Sequence, residues 1–119
     1  MTVGRVVPIV SVTDLPAAVA QYRAVLGLEV VMDHGWIVTL ADAERRHQLS
    51  LLTEDATAQV NPTVSVQVDD VDAAYRSAVE AGIRIVHPLS DEEWGVRRFF
   101  FEDDAGNVVN VLSHRAGST

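Results

Sequence analysis

The sequence predicts an α+β fold made of two tandem βαβββ modules. Three observations predict it: a segment that occurs twice, an Asp and a Gly bracketing an apolar helical stripe in each copy, and three short strand-like runs after each helix. In the first copy Val10-Ser11-Val12-Thr13-Asp14-Leu15-Pro16-Ala17-Ala18 leads to Gly27; in the second Val66-Gln67-Val68-Asp69-Asp70-Val71-Asp72-Ala73-Ala74 leads to Gly82. Asp14 and Asp70 lie 56 positions apart and the glycines 55, so the copies align with a single one-residue slip.

Each copy opens on a β-rich run ending at an Asp whose short carboxylate suits a helix N-cap. In the first helix Leu15, Val19, Tyr22 and Leu26 fall on one face, and Pro16 sits in the first turn, where its missing N–H costs nothing. In the second, Val71, Tyr75 and Ala78 form the stripe and Arg76 and Glu80 are left for solvent. Gly27 and Gly82 suit the left-handed residue that ends a helix. Strand-like runs follow at Leu28 to Met32, Trp36 to Leu40 and Gln48 to Leu52, then at Arg84 to Val86, Arg97 to Phe101 and Val108 to Leu112. Asp33-His34-Gly35 and Asp103-Asp104-Ala105-Gly106-Asn107 carry turn chemistry. One domain over residues 1–119 is expected, with module one at about 1–53, a polar linker at about 54–62 ending in Asn61-Pro62, and module two at about 63–115.

Composition bounds the function. With 119 residues, 48% of them hydrophobic, the chain can bury roughly two thirds of its unfolded surface in one core. It has no cysteine, which excludes disulfides, thiolate catalysis and cysteine-held zinc. Nine arginines, no lysine and seventeen carboxylates give a net charge of −8, a field that repels nucleic acid and anionic membranes and favours a cationic or neutral ligand. The first twelve residues lack a signal-like apolar run and no stretch reaches the length of a membrane span, so a cytoplasmic protein is expected.

The chain resembles the vicinal oxygen chelate superfamily, the group of glyoxalase I, extradiol dioxygenases, fosfomycin-modifying enzymes and bleomycin-binding resistance proteins. The resemblance rests on Val12-Thr13-Asp14-Leu15 with Gln21-Tyr22 and Leu26-Gly27-Leu28, on Val68-Asp69-Asp70-Val71-Asp72 with Ala81-Gly82, and on Trp94-Gly95-Val96-Arg97-Arg98-Phe99 running into Glu102-Asp103-Asp104-Ala105-Gly106-Asn107. It spans essentially the whole chain and implies a curved mixed sheet around a cleft, with the helices on its outer face. On that reading Val64, Val66 and Val68 face the helix, and Thr63, Ser65 and Gln67 face the cleft.

Metal-dependent members of the family place His, Gln or Glu on the first strand of each module and a carboxylate on the last. By distance from Asp14, Asp70 and Gly106-Asn107, those positions here are Val7, Ser50, Thr63 and Asn110, none a His or a carboxylate. Neutral hydroxyl and amide oxygens without an anionic partner hold divalent ions poorly, so no metal or other cofactor is expected. Of the four histidines, His114 shares strand parity with Asn110 and Leu112, while His34, His47 and His87 show no converging pattern.

A cleft without metal can still recognise a ligand. Trp36 and Trp94 can stack on a planar molecule, and one of Arg97 and Arg98 must face inward by alternation. The expected ligand-binding set is Trp36, Ser50, Thr63, Ser65, Trp94, Arg97, Phe99, Asn110 and Leu112; no catalytic residue is assigned. The expectation is therefore a homodimeric, metal-independent binding protein of the bleomycin-resistance type that sequesters a drug or secondary metabolite. An enzyme on the same fold, a lyase, isomerase or dioxygenase-like catalyst, is the alternative.

Overall fold

A computed structural model describes residues 1–114. The predicted α+β order is present: β1 (Val3–Ser11), α1 (Leu15–Leu26), β2 (Glu29–Asp33), β3 (Ile37–Ala41) and β4 (Gln48–Leu52) form the first βαβββ module. The second comprises β5 (Val64–Val68), α2 (Val71–Glu80), β6 (Arg84–Asp91), β7 (Val96–Glu102) and β8 (Val108–His114). Among the described residues, no helix is long and apolar enough to cross a membrane.

The caps do what their chemistry predicts. Asp14 accepts the amide N–H of Ala17 at 3.0 Å and Asp70 that of Ala73 at 3.0 Å, which satisfies an orphan donor in each first turn. Gly27 closes α1 at φ 66° and donates to the Arg23 carbonyl at 2.9 Å. That left-handed conformation is the one a Cβ disfavours.

The chain divides into two compact units, Val7–Asn61 and a second made of Met1–Val6 with residues from Pro62 onward, so β1 contributes to both. Strand order is β2-β3-β4-β1 in the first and β1-β5-β8-β7-β6 in the second. The β1/β4 and β5/β8 pairs are parallel, and the β2/β3, β3/β4, β6/β7 and β7/β8 pairs antiparallel.

Each unit has its own core under its helix. In the first, Leu15 and Ala18 of α1 are buried with Val38, Leu40 and Leu51, and Val10, Val12, Val19, Tyr22, Leu28 and Leu49 pack against them. The predicted stripe runs one residue too far: Leu26 is exposed, because the helix ends there and Gly27 turns the chain away. In the second, Val71, Ala74, Tyr75 and Ala78 of α2 pack on Val66, Val68, Phe99, Phe101, Val109 and Val111. Tyr75 meets Phe99 edge-on, with ring centroids 5.2 Å apart and planes at 80°.

Residues 54–62, expected as a plain linker, are stapled by their own side chains. Asp55 is buried; its backbone N–H donates to Asn61 Oδ1 at 2.7 Å, and its carboxylate accepts the Thr57 N–H at 2.9 Å and the Thr57 hydroxyl at 2.6 Å. Asn61 Nδ2 donates to the Thr53 carbonyl at 3.2 Å and to Ser11 Oγ at 3.3 Å.

Candidate functional site

Strand alternation in the second unit separates two faces. Val66, Phe99, Phe101, Val109 and Val111 lie under α2, so their neighbours in sequence point the other way. On that opposite face the register sets Ser65 of β5 beside Asn110 of β8, Asn110 beside Phe100 of β7, and Phe100 beside His87 of β6. The next row runs Gln67, Leu112, Arg98 and Ser90. Directly opposed residues on neighbouring strands hold their Cβ atoms about 5 Å apart, so these eight residues form a continuous surface.

Its centre is a nearly buried charged cluster. The side chains of Arg98, Glu92 and His87 are 4%, 12% and 13% exposed. Arg98 Nε donates to Glu92 Oε1 at 3.1 Å, and His87 Nε2 lies 3.0 Å from the same oxygen. An ionised carboxylate has only acceptors, so His87 Nε2 is the donor in that contact. The Arg98 guanidinium lies 5.0 Å from the Trp94 ring centroid and 4.7 Å from that of Phe100, and the His87 ring lies 4.8 Å from Phe100. Charge pairing and two ring faces together hold a cation away from water.

Next to the cluster sits an unsatisfied acceptor. Asn110 is 7% exposed; its Nδ2 donates to Ser65 Oγ at 2.9 Å, while Oδ1 is buried without a hydrogen-bond partner. A buried unpaired acceptor costs about 1–3 kcal/mol, so its presence calls for an explanation.

Of the expected site residues, Ser65, Asn110 and Leu112 share this face, and Trp94, partly exposed, lies over Arg98 on the segment that leads into β7. Arg97 and Phe99 lie on the other side. Phe99 is core under Tyr75, and Arg97 reaches Asp72 of α2 at 3.0 Å and Asp91 of β6 at 3.3 Å. The Arg97 guanidinium holds the Asp72 carboxyl below its ordinary range, and the hydrogen bonds that Arg97 donates to Asp72 raise its own pKa in turn. The arginine opposite the helix is Arg98. Thr63 is exposed at the start of β5, with its hydroxyl and its N–H both on the Val108 carbonyl, at 3.1 and 2.8 Å.

Trp36 and Ser50 belong to the first unit. Ser50 is buried on β4 between Ile9 and Thr39, opposite the α1 side, and its hydroxyl lies 2.7 Å from Thr39 Oγ1. Trp36 immediately precedes β3, and its carbonyl accepts the Thr53 N–H at 3.2 Å.

The family's metal positions do not fit a divalent ion. Val7 is a buried hydrocarbon, the Ser50 and Thr63 hydroxyls are engaged as described, and Asn110 offers one neutral oxygen. No carboxylate stands at any of the four to offset the ion's dehydration. Among the described residues, no group of three or more His, Cys, Asp or Glu is arranged to hold a metal ion. His34, His47 and His114 are exposed, and His47 pairs with Asp42 at 3.2 Å. His87, Glu92, Arg98 and Phe100 were absent from the expected site; the advance signal was the alternation that sends one of Arg97 and Arg98 inward.

The profile of the Glyoxalase/Bleomycin resistance protein/Dioxygenase superfamily matches residues 2–111. No curated protein matches the sequence. Among solved structures, one described as an NAD-dependent benzaldehyde dehydrogenase from Legionella pneumophila superposes with a TM-score of 0.76 at 14% identity, covering 93% of this chain and 100% of that one. A glyoxalase/bleomycin resistance protein/dioxygenase superfamily member from Vibrio splendidus gives 0.71 at 21% identity, covering 95% and 99%. Methylmalonyl-CoA epimerase of Streptomyces coelicolor, a variant in complex with 2-nitronate-propionyl-CoA, gives 0.71 at 20% identity, covering 99% of each chain. At these identities the likeness is one of fold.

Proposed function

This chain belongs to the Glyoxalase/Bleomycin resistance protein/Dioxygenase superfamily, and within it we propose that it is a metal-independent binding protein for a small organic molecule, of the bleomycin-resistance type, sequestering a drug or secondary metabolite. The observation that carries the reading is the face of the second unit opposite α2. There Trp94 and Phe100 flank a charge-paired Arg98, and an unsatisfied Asn110 oxygen stands beside half-buried Ser65 and Leu112. Aromatic surface with a few fixed polar groups is what small-molecule sites are made of. The donor chemistry at Val7, Ser50, Thr63 and Asn110 supports metal independence.

A thermal-shift screen of planar and cationic natural products against the chelator-treated protein tests this, since a ligand that binds only the folded state raises Tm by mass action. Compounds that raise Tm in the wild type and fail to do so in Trp94→Ala support the reading. A screen whose only hits act equally on Trp94→Ala removes the proposed face from the account.

One observation favours the enzyme reading: His87 Nε2 is 3.0 Å from Glu92 Oε1, the arrangement in which a carboxylate orients an imidazole for proton transfer. If His87 moves protons, a bound carbon acid exchanges its acidic C–H in deuterated water, and His87→Gln abolishes the exchange without abolishing binding. Homodimer formation is part of the same proposal; a sedimentation profile of monomer alone at micromolar concentration refutes it.

A further inference from the structure

Asn110 Oδ1 narrows the class of ligand, on the premise that the sheet face opposite α2 is the binding surface. The side chain is more than nine-tenths buried, and its one contact uses the amide nitrogen, 2.9 Å from Ser65 Oγ. In this orientation Ser65 takes one N–H of the carboxamide, and the oxygen is the buried atom left without a partner. The carbonyl oxygen therefore remains directed away from Ser65 with nothing to accept from. Oδ1 itself is buried, while Ser65 beside Asn110 and the next pair on this face, Gln67 and Leu112, are half-buried.

We propose that the ligand carries an N–H donor, as an amide, amine or amidinium, and that Asn110 Oδ1 accepts it. A carboxylate or phosphate would set its own lone pairs against that oxygen. The cation on this face offers no compensation to an anion, because Arg98 is already paired with Glu92 at 3.1 Å and lies against two rings. The net charge of −8 acts in the same direction, concentrating cations and neutral donors rather than anions. Leu112, beside Asn110 on the same strand and between Gln67 and Arg98, supplies apolar contact for the body of such a ligand.

Three probes of one shape separate the terms: benzamidinium, benzamide and benzoate, titrated into the full chain and followed calorimetrically and by the Asn110 side-chain amide resonances. The expected result is that benzamidinium and benzamide bind at least tenfold more tightly than benzoate and shift the Asn110 Nδ2 protons. In Asn110→Leu the preference disappears, and Asn110→Asp, which keeps an acceptor beside Ser65, strengthens benzamidinium selectively. Asn110→Leu also folds at least as stably as the wild type, because it deletes an unsatisfied acceptor. Equal binding of all three probes, or a preference that survives in Asn110→Leu, overturns the inference while leaving a small-molecule site on this face. Binding of none of the three overturns the inference, and the broader reading is then decided by the Trp94-dependent screen.

Discussion

Two adjacent arginines make opposite predictions. Replacing Arg98 by Met keeps the aliphatic stem but removes the charge from a group 4% exposed, stranding a Glu92 carboxylate that is 12% exposed. Breaking a buried pair costs about 3–5 kcal/mol. The remaining His87 contact at 3.0 Å places the cost at the lower end. Loss of the two ring contacts, at 5.0 and 4.7 Å, adds about 0.5–1 kcal/mol each. The expected total is about 4 kcal/mol, and for a domain of this length each kcal/mol moves Tm by about 4 °C, so Arg98→Met lowers Tm by about 15 °C. Arg97→Met removes a group 34% exposed from acids 47% and 50% exposed. Such pairs contribute about 0.2–1 kcal/mol each, and with two of them the fall in Tm is about 8 °C or less. Calorimetry with urea titration at one pH measures both. If the two variants lose equal stability, or Arg97→Met loses more, the assignment of Arg98 to the interior and of Arg97 to the helix side is wrong.

Two further predictions test the second unit's core and the carboxylates of both units. A double-mutant cycle with Tyr75→Ala and Phe99→Ala gives a coupling of about 0.5–1.5 kcal/mol from their edge-on contact at 5.2 Å, and a coupling near zero contradicts that packing. The backbone N–H of His47 at Asp42, that of Thr2 at Asp69, the Arg97 guanidinium at Asp72 and the Asn107 side chain at Asp103 each hold a carboxyl below the ordinary aspartate value of 3.8. Folded values below unfolded ones mean stability that is present above 3.8 and lost as pH falls through the folded values. Urea midpoints should hold from about pH 7 to about pH 5 and drop below about pH 4, and Asp103→Asn should show a shallower drop than the wild type.

Much of the fold was legible because local chemistry and the global pattern agree. Asp14 and Asp70 cap the helices they precede, and the stripe Val71, Tyr75 and Ala78 lies in the core as its spacing implies. The site was less legible for a physical reason. In β7 the run Arg97 to Phe101 has bulky groups on both faces, so no alternation of polar and apolar residues tells which face is which. The contacts of Phe99 with Tyr75 and of Arg97 with Asp72 fix the parity and put Arg98 and Phe100 opposite the helix. His87 was hidden because the β6–β7 register shifts between Ile85 and His87, which cancels the parity count from Arg84. Glu92 lies between β6 and β7, and its role depends on two partners, five positions before and six after, that the register brings back to it. Asp55 looked like an ordinary linker acid; its burial and bonds to Thr57 and Asn61 are tertiary facts.

The most direct test of the central claim is one calorimetric titration: the best aromatic hit from the thermal-shift screen into chelator-treated protein, repeated after adding zinc, nickel, manganese or iron(II). The account predicts saturable binding with the same affinity whether or not metal is present. Binding that appears only once a divalent ion is supplied would contradict it, and would mean that Val7, Ser50, Thr63 and Asn110 are not the positions where this chain holds its metal.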